Sequence, residues 1–198
     1  RSLVRRASAV TAASTLLETR ARHIRSGLVQ RNVVRVPNAL PERRLMQFLE
    51  ARSRVQDAPV TVLLYSRFEE LGVAWLGCFA TALLHISAAS GRVRIAVVGA
   101  LPESLCGLES LQELDLMGYV AHDVLPSVLG GAAIAVVPQR DSLVARSKQS
   151  VKLLELMASG CVVVASDVGD VGATLGSGGV CIRGHNPEVF AHEVATLL

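Results

Sequence analysis

The chain has 198 residues, of which 51% are hydrophobic and 19% charged, and a formal net charge of +3. This length and apolar content predict one full domain with a sizeable core plus flanking sequence, and they exclude a disordered chain. No apolar run reaches the roughly 18–20 residues that are needed to cross a bilayer. We therefore expect a globular protein.

Charge is unevenly distributed along the chain. Residues 1–57 hold twelve arginines against four acidic residues, a balance of +8, whereas the other residues hold eight basic and thirteen acidic groups. A basic segment can contact phosphate-bearing partners or an anionic membrane surface. Because apolar strand-like pieces interrupt these charges, we favour a solvated helix face and predict no nucleic-acid partner. Contact with a membrane surface stays open as an alternative.

The four cysteines are scattered and lack the spacing of a metal site. They are Cys78, Cys106, Cys161 and Cys181. We therefore predict no metal and no other cofactor. Since nothing in this pattern indicates a disulfide framework, we expect a reducing compartment, the cytoplasm.

The first 57 residues predict the end of one structural unit and a connection to the next. ASAVTAAS has the character of a buried strand, TLLETRARHIRSGL that of a helix, and VVRVPNALP that of a strand running into a turn. A polar, arginine-rich helix or linker over 41–57 follows.

From about residue 60 onward, apolar strand-like runs alternate with helical patterns. Several of these runs are continuous in Val, Ile and Ala, which is typical of strands buried on both faces. The predicted strands span 61–66, 93–100, 111–120, 132–138, 161–168 and 178–184, and the predicted helices span 69–88, 101–109, 122–129, 150–159 and 187–198. Alternation at this spacing predicts an α/β fold with a doubly wound parallel sheet, a Rossmann-like domain.

Both lysines of the chain, Lys148 and Lys152, lie in the stretch RSKQSVKLLELMASG, after the strand AAIAVVP and the loop QRDSLVA. Ser147 or Ser150 is predicted to cap the helix of this stretch. Ligands of open parallel sheets bind at the carboxyl ends of strands, and the start of a helix there suits a phosphate. We expect the lysines to face that phosphate and Glu155 to accept hydrogen bonds from ribose hydroxyls. The alternative is a solvated Lys152–Glu155 pair.

The order of these pieces resembles the donor-binding half of retaining GT-B-fold glycosyltransferases of the family-4 type. Their pattern is a Glu, seven residues, a second Glu, then A-x-G-x-P-V-V-A-S-x-x-G-G, and SVKLLELMASGCVVVASDVG is similar to its later part. VTVLLYSRF, IAVVGA and MGYV resemble other strands of that half, and VVRVPNALP resembles the hinge strand V-x-x-I-P-N-G. The resemblance implies three parts: the end of the acceptor-binding domain with the hinge strand (1–40), a linker helix (41–57) and the donor-binding domain (58–198).

The resemblance also implies a ligand, a nucleoside-diphosphate sugar, whose sugar is transferred to an acceptor that the sequence does not identify. The implied diphosphate-binding residues are Arg67, Lys148, Ser150, Val151 and Lys152. Glu155 matches the second Glu, which holds the ribose, and Val120 lies where a backbone group meets the base. With only the end of an acceptor-binding domain, we expect the chain alone not to turn over.

Departures from the family pattern leave a second interpretation open. Ser147 stands where the first Glu touches the donor sugar, with Asp141 as one candidate substitute, and no lysine follows Arg67 in the usual place. The alternative is therefore a non-catalytic nucleotide-sugar-binding or scaffolding relative. A receiver-like signalling domain is disfavoured, because no acidic pair follows the first strand.

Overall fold

The structure is a computed structural model that describes residues 2–27, 32–53, 60–66, 72–88, 93–99 and 113–198. The helices in these ranges are α1 (Ser2–Arg6), α2 (Thr15–Ile24), α3 (Glu42–Ser53), α4 (Val73–Ser87), α5 (Leu125–Gly130), α6 (Leu143–Ser147), α7 (Val151–Ala158), α8 (Val171–Leu175) and α9 (Pro187–Thr196). The strands are β1 (Val10–Ala12), β2 (Val33–Arg35), β3 (Thr61–Tyr65), β4 (Arg94–Val98), β5 (Leu114–Gly118), β6 (Ile134–Val137), β7 (Val162–Ser166) and β8 (Gly179–Ile182). Arg67, Cys106 and the helix predicted over 101–109 lie outside the described residues.

Six parallel strands form the main sheet, in the order β5-β4-β3-β6-β7-β8. Each strand lies within the run predicted for it, so the predicted α/β fold with a doubly wound sheet is confirmed. The chain starts the sheet at β3, builds outward to β5, then returns to the other side of β3 with β6. Strand order therefore reverses between β3 and β6, and ligands of such sheets bind outside the carboxyl ends of the strands at this reversal.

Helices cover both faces of the sheet because successive strand residues point to opposite sides. On one face Leu64 packs into a cluster with Trp75 and Phe79 of α4 and with α9. On the other face Leu63 packs into a cluster with Phe48 of α3 and with residues of α5 and α7. Both faces are thus closed by apolar contacts, which explains why the strand runs are continuous in hydrophobic residues. None of the helices in the described ranges is long and apolar enough to cross a membrane.

A second, two-stranded parallel sheet joins β1 and β2, with α2 as the connection between them. The helix α3 that follows packs against α5 and α7 of the larger unit. The buried side chain of Arg25 ties this segment together, since its Nη1 donates to the carbonyl oxygens of Val4 at 2.6 Å and Ala7 at 2.7 Å. The charge in this segment is therefore partly structural, and not wholly on a solvated face.

The stretch after β6 differs from the sequence expectation. Instead of a loop and a capping serine, residues 143–147 form the short helix α6. Ser142 caps this helix by accepting a hydrogen bond from the Ala145 N–H at 3.1 Å. Ser147 is the last residue of α6, and Ser150 is the N-cap of α7. The extended backbone of Lys148, with φ −84° and ψ 142°, separates the two helices.

Asn186→Ala is expected to lower the free energy of unfolding by about 1 kcal/mol, because it removes the side-chain cap of α9. The Asn186 Oδ1 accepts hydrogen bonds from the backbone N–H groups of Glu188 at 2.9 Å and Val189 at 3.1 Å. Ser150→Ala is the matched control, since Ser150 occupies the same position on α7 without a side-chain capping bond. Urea unfolding measures both variants, and equal losses of stability would contradict the assignment of the cap.

Candidate functional site

A cavity of about 530 Å³ opens at the carboxyl ends of β3 and β6, where the strand order reverses. Tyr65 and Ser66 contribute from the end of β3, and residues 137–140 from the end of β6. The remaining walls come from α6, the connection to α7, the first turn of α7, and α8 with its N-cap. The fold therefore places a cavity at the position where this sheet topology binds ligands.

Cationic side chains dominate the charged lining of the cavity. The basic residues that line it are Lys148, Lys152 and Arg140, and the acidic residue among the described lining residues is Asp170. Sequence reasoning missed Arg140, although a cation three residues after the end of a buried strand was an available signal. Among the described lining residues, three cations against one carboxylate make the cavity attractive to an anion that carries more than one charge.

The ammonium of Lys152 lies over an aromatic ring at the end of β3. Its Nζ is 4.9 Å from the ring centroid of Tyr65, a distance typical of a cation–π contact. Burial is the main cause that raises the pKa of Tyr65, and the Glu155 carboxylate raises it further. The phenol therefore stays neutral at physiological pH and adds no negative charge beside the lysine.

The start of α7 faces the cavity. Ser150, Lys152 and Leu153 line it, whereas Val151 is 44% exposed and is not part of the lining. Ser150 has the extended backbone of an N-cap residue, with φ −80° and ψ 115°, and its side chain makes no capping bond in the described part of the chain. The eight-residue helix thus presents its N-terminal end, where partial positive charge accumulates, to the same space as the lysines.

Glu155 does not line the cavity; it is buried beside it, in an ion pair with α3. Arg44 Nη2 lies 3.4 Å from Glu155 Oε1, and both side chains are 8% exposed. Arg44 Nη1 also donates to the carbonyl oxygen of His122, two residues after Val120, at 2.8 Å. Val120 is partly buried and packs on the same cluster as Phe48. Arg44 is a second residue that sequence reasoning missed, because its partners are 78 and 111 residues away.

The two candidates for contact with a donor sugar have other partners. The Ser147 hydroxyl donates to the Val144 carbonyl oxygen at 2.8 Å. Both carboxylate oxygens of Asp141 accept hydrogen bonds of 2.5 Å from Arg146, and this is the main reason why the pKa of Asp141 is lowered. Neither Ser147 nor Asp141 lines the cavity, whereas Asp170 does. Among the described residues that line the cavity, the carboxylate available to a ligand is therefore that of Asp170.

Residues of the segment before α3 form hydrogen bonds with two residues that line the cavity, Asp170 and Gln149. Asp170 Oδ2 accepts a hydrogen bond of 2.8 Å from the backbone N–H of Thr15, the first residue of α2. Asn38 Nδ2 donates to the Gln149 carbonyl oxygen at 2.8 Å, and the Asn38 N–H donates to the Gln149 side chain. Across the described ranges, no group of three or more His, Cys, Asp or Glu side chains is placed to hold a metal ion.

Comparison with known proteins identifies the family. The model of the family described as "Glycosyl transferases group 1" matches residues 59–198, which is more than half of the chain. The chain belongs to this family of glycosyltransferases. The matched region contains β3 to β8 and every described residue that lines the cavity, whereas Arg44 lies outside it. A search of curated proteins gave no match.

Solved glycosyltransferases share the fold. Sucrose-phosphate synthase from Thermosynechococcus elongatus is 20% identical with a TM-score of 0.65, covering 99% of this chain and 50% of its own. WaaG, a glycosyltransferase involved in lipopolysaccharide biosynthesis, is 13% identical with a TM-score of 0.68, and the match covers 94% of this chain and 52% of WaaG. Anabaena HepE, solved in complex with UDP and glucose, is 18% identical with a TM-score of 0.57, and the match covers 96% of this chain and 53% of HepE. These similarities establish the GT-B fold, and the chain spans about half the length of these proteins.

Proposed function

We propose that the chain is the donor-binding part of a retaining glycosyltransferase of the family-4 type, and that it binds a nucleoside-diphosphate sugar. The observation that carries this proposal is the cationic cavity at the reversal of strand order, which contains both lysines of the chain and the start of α7. HepE, a protein of the same fold, was solved with UDP and glucose, which supports a ligand of this class. This proposal divides the chain into the end of the acceptor-binding domain (1–40), a linker helix (41–57) and the donor-binding domain (58–198).

Each part of the donor has its proposed partners. Lys148, Lys152 and Arg67 contact the diphosphate together with the backbone amides of Ser150 and Val151. Glu155 accepts hydrogen bonds from the ribose hydroxyls, and a backbone group of Val120 meets the base. Lys152 and Glu155 lie three residues apart on α7, and the Lys152 Nζ is 4.9 Å from the ring centroid of Tyr65 at the end of β3, which supports adjacent positions for the diphosphate and the ribose.

The chemistry that these residues supply is stabilisation of a leaving group. When the bond between the sugar and the diphosphate breaks, the electron pair stays on the diphosphate oxygen and its negative charge grows. Fixed cations and helix amides lower the energy of that charge, most strongly where the site excludes water. The acceptor and the groups that position it belong to the other domain, so we propose that the chain alone does not transfer sugar. The proposed compartment is the cytoplasm, with membrane contact as an alternative.

Lys152→Gln is expected to weaken the binding of the cognate nucleoside diphosphate by about 10- to 100-fold, since a hydrogen bond to a charged group contributes about 1.5–3 kcal/mol. Titration calorimetry with UDP, GDP and ADP, without added metal, measures the Kd and identifies the base. Arg20→Gln is the matched control, because Arg20 is an exposed cation of α2 that does not line the cavity. If the folded wild-type chain binds none of the three diphosphates, or if both variants bind alike, the proposal is wrong.

The second candidate function is a nucleotide-sugar-binding or scaffolding protein without transfer activity. The observation in its favour is that Ser147 replaces the first Glu and donates its hydroxyl hydrogen bond to Val144 instead of lining the cavity. Asp170→Asn tests whether Asp170 has taken over the contact with the sugar that a transferase needs. If Asp170 has taken over the contact with the sugar, this variant binds the nucleotide sugar more weakly and the free diphosphate as before. Equal effects on both ligands favour the binding-only protein.

A further inference from the structure

One buried charge pair joins the linker helix to the donor-binding unit. Arg44 of α3 meets Glu155 of α7 across 111 residues of sequence, and both side chains are 8% exposed. Removing two charges from water costs several kcal/mol per ion, and apolar residues of similar size often stabilise such a position equally well. Stability alone is therefore a weak reason for an arginine and a glutamate here, which points to a role for the carboxylate itself.

The guanidinium of Arg44 is held from several directions. Its Nη1 donates to the His122 carbonyl oxygen at 2.8 Å and to Gln47 Oε1 at 3.2 Å. Its Cζ lies 4.7 Å from the ring centroid of Phe48. Its Nε is buried and has no hydrogen-bond partner among the described residues. A guanidinium fixed in this way gives the carboxylate that it binds a defined orientation.

Arg44 connects the two places where the nucleoside is proposed to bind. Through the His122 carbonyl it holds the segment after β5, which contains Val120, and through its Nη2 it holds Glu155. Both contacts come from α3, which precedes the residues matched by the family model. The residues that we propose for the nucleoside are thus held by α3, a helix that contributes no residue to the lining of the cavity.

We propose that Arg44 is a positioning residue that sets the orientation of Glu155 for the ribose hydroxyls of a nucleoside diphosphate. This inference rests on the proposed function. A carboxylate that accepts hydrogen bonds from two adjacent hydroxyls must have both oxygens correctly aimed, because these bonds weaken steeply with angle. Arg44 supplies that aim by binding one carboxylate oxygen on the protein side. Loss of Arg44 therefore reduces the recognition of ribose and leaves the recognition of phosphate unchanged.

The test measures the Kd of the full chain for three probes: UDP, its 2′,3′-dideoxy analogue and inorganic pyrophosphate, with ADP and GDP in place of UDP if one of them is the cognate diphosphate. In the wild type we expect the dideoxy analogue to bind about 10-fold more weakly than the diphosphate, as the loss of a hydrogen bond to a charged group implies. In Arg44→Met that ratio is expected to fall to about 1, with the affinity for pyrophosphate unchanged. Glu155→Gln is expected to reduce the ratio in the same direction, and Arg44→Lys to retain part of it.

The possible outcomes distinguish the inference from the function on which it rests. A wild-type chain that binds no diphosphate overturns both. A wild-type chain that prefers the ribose hydroxyls, together with Arg44→Met or Arg44→Lys variants that prefer them just as strongly, overturns the inference alone. The same holds if the affinities for pyrophosphate and the diphosphate fall together, because Arg44 would then have only a structural role. Arg44→Lys keeps the test valid if Arg44→Met fails to fold.

Discussion

Gly169→Ala is expected to lower the free energy of unfolding by about 2–4 kcal/mol, since it combines a left-handed backbone with a steric clash. Gly169 has a φ of +63°, and a Cβ there would lie 2.8 Å from the carbonyl oxygen of Arg146 and 2.9 Å from its Cα. These are backbone atoms of α6, so no rotation of a neighbouring side chain can relieve the contact with the added Cβ. Because Val144 and Ala145 of the same helix line the cavity, we also expect weaker diphosphate binding.

Gly118→Ala is the matched control for the clash at Gly169. Gly118 has the same φ of +63°, but a Cβ there would meet nothing within 4 Å. Its substitution therefore carries the backbone cost alone, about 1–2 kcal/mol. Urea unfolding gives the free energies of both variants, and calorimetry with the cognate diphosphate gives their affinities. If Gly118→Ala is as destabilising as Gly169→Ala, the contact of the added Cβ with α6 does not contribute to the loss of stability at Gly169.

Glu155→Leu is expected to lower the free energy of unfolding by about 3–5 kcal/mol, because it leaves the Arg44 guanidinium buried without its counter-charge. The pair is 8% exposed on both sides, so water cannot replace the lost partner without rearrangement of α3 or α7. The double variant Arg44→Leu/Glu155→Leu is expected to be more stable than Glu155→Leu, since it removes both charges. Chemical unfolding of Arg44→Leu, Glu155→Leu and the double variant gives the coupling free energy between the two side chains.

The control for this pair is a more exposed pair of the same charge type. Arg22 and Glu18 are 2.7 Å apart at i and i+4 on α2, with side chains 55% and 22% exposed. Glu18→Leu is expected to change the free energy of unfolding by about 0.5 kcal/mol or less, as is usual for exposed pairs. A small effect of Glu155→Leu, similar to that of Glu18→Leu, would show that the buried pair is solvated in solution.

The sheet could be predicted from the sequence because its strands are buried on both faces, which leaves continuous apolar runs such as VVVA at β7. The start of the last helix could be predicted because Asn186 and Pro187 are adjacent in the sequence. Helix α6 could not, because five residues give less than two turns of periodicity, and its apolar residues Leu143 and Val144 are exposed.

Cavity residues that are close in sequence could be predicted to lie together, whereas contacts between residues far apart in sequence could not. Lys148 and Lys152 lie on one short stretch, and the structure brings both to the cavity. The contact of Arg44 with Glu155 depends on how α3 docks on α7, and no local pattern encodes that docking. Asp170 has the same limitation, since its place in the cavity wall follows from the position of α8. The role of Arg67 stays a prediction.

The contacts of Thr15 with Asp170 and of Asn38 with Gln149 join the N-terminal segment to two residues that line the cavity. Ligand binding in the cavity and the contacts of that segment therefore share Asp170 and Gln149. Thermodynamic linkage requires their effects on each other to be equal. Whatever factor an occupied cavity contributes to these contacts, the contacts contribute to ligand affinity. One binding measurement on Thr15→Pro, which lacks both the N–H donor to Asp170 and the hydroxyl that accepts from Arg35, therefore reports on both.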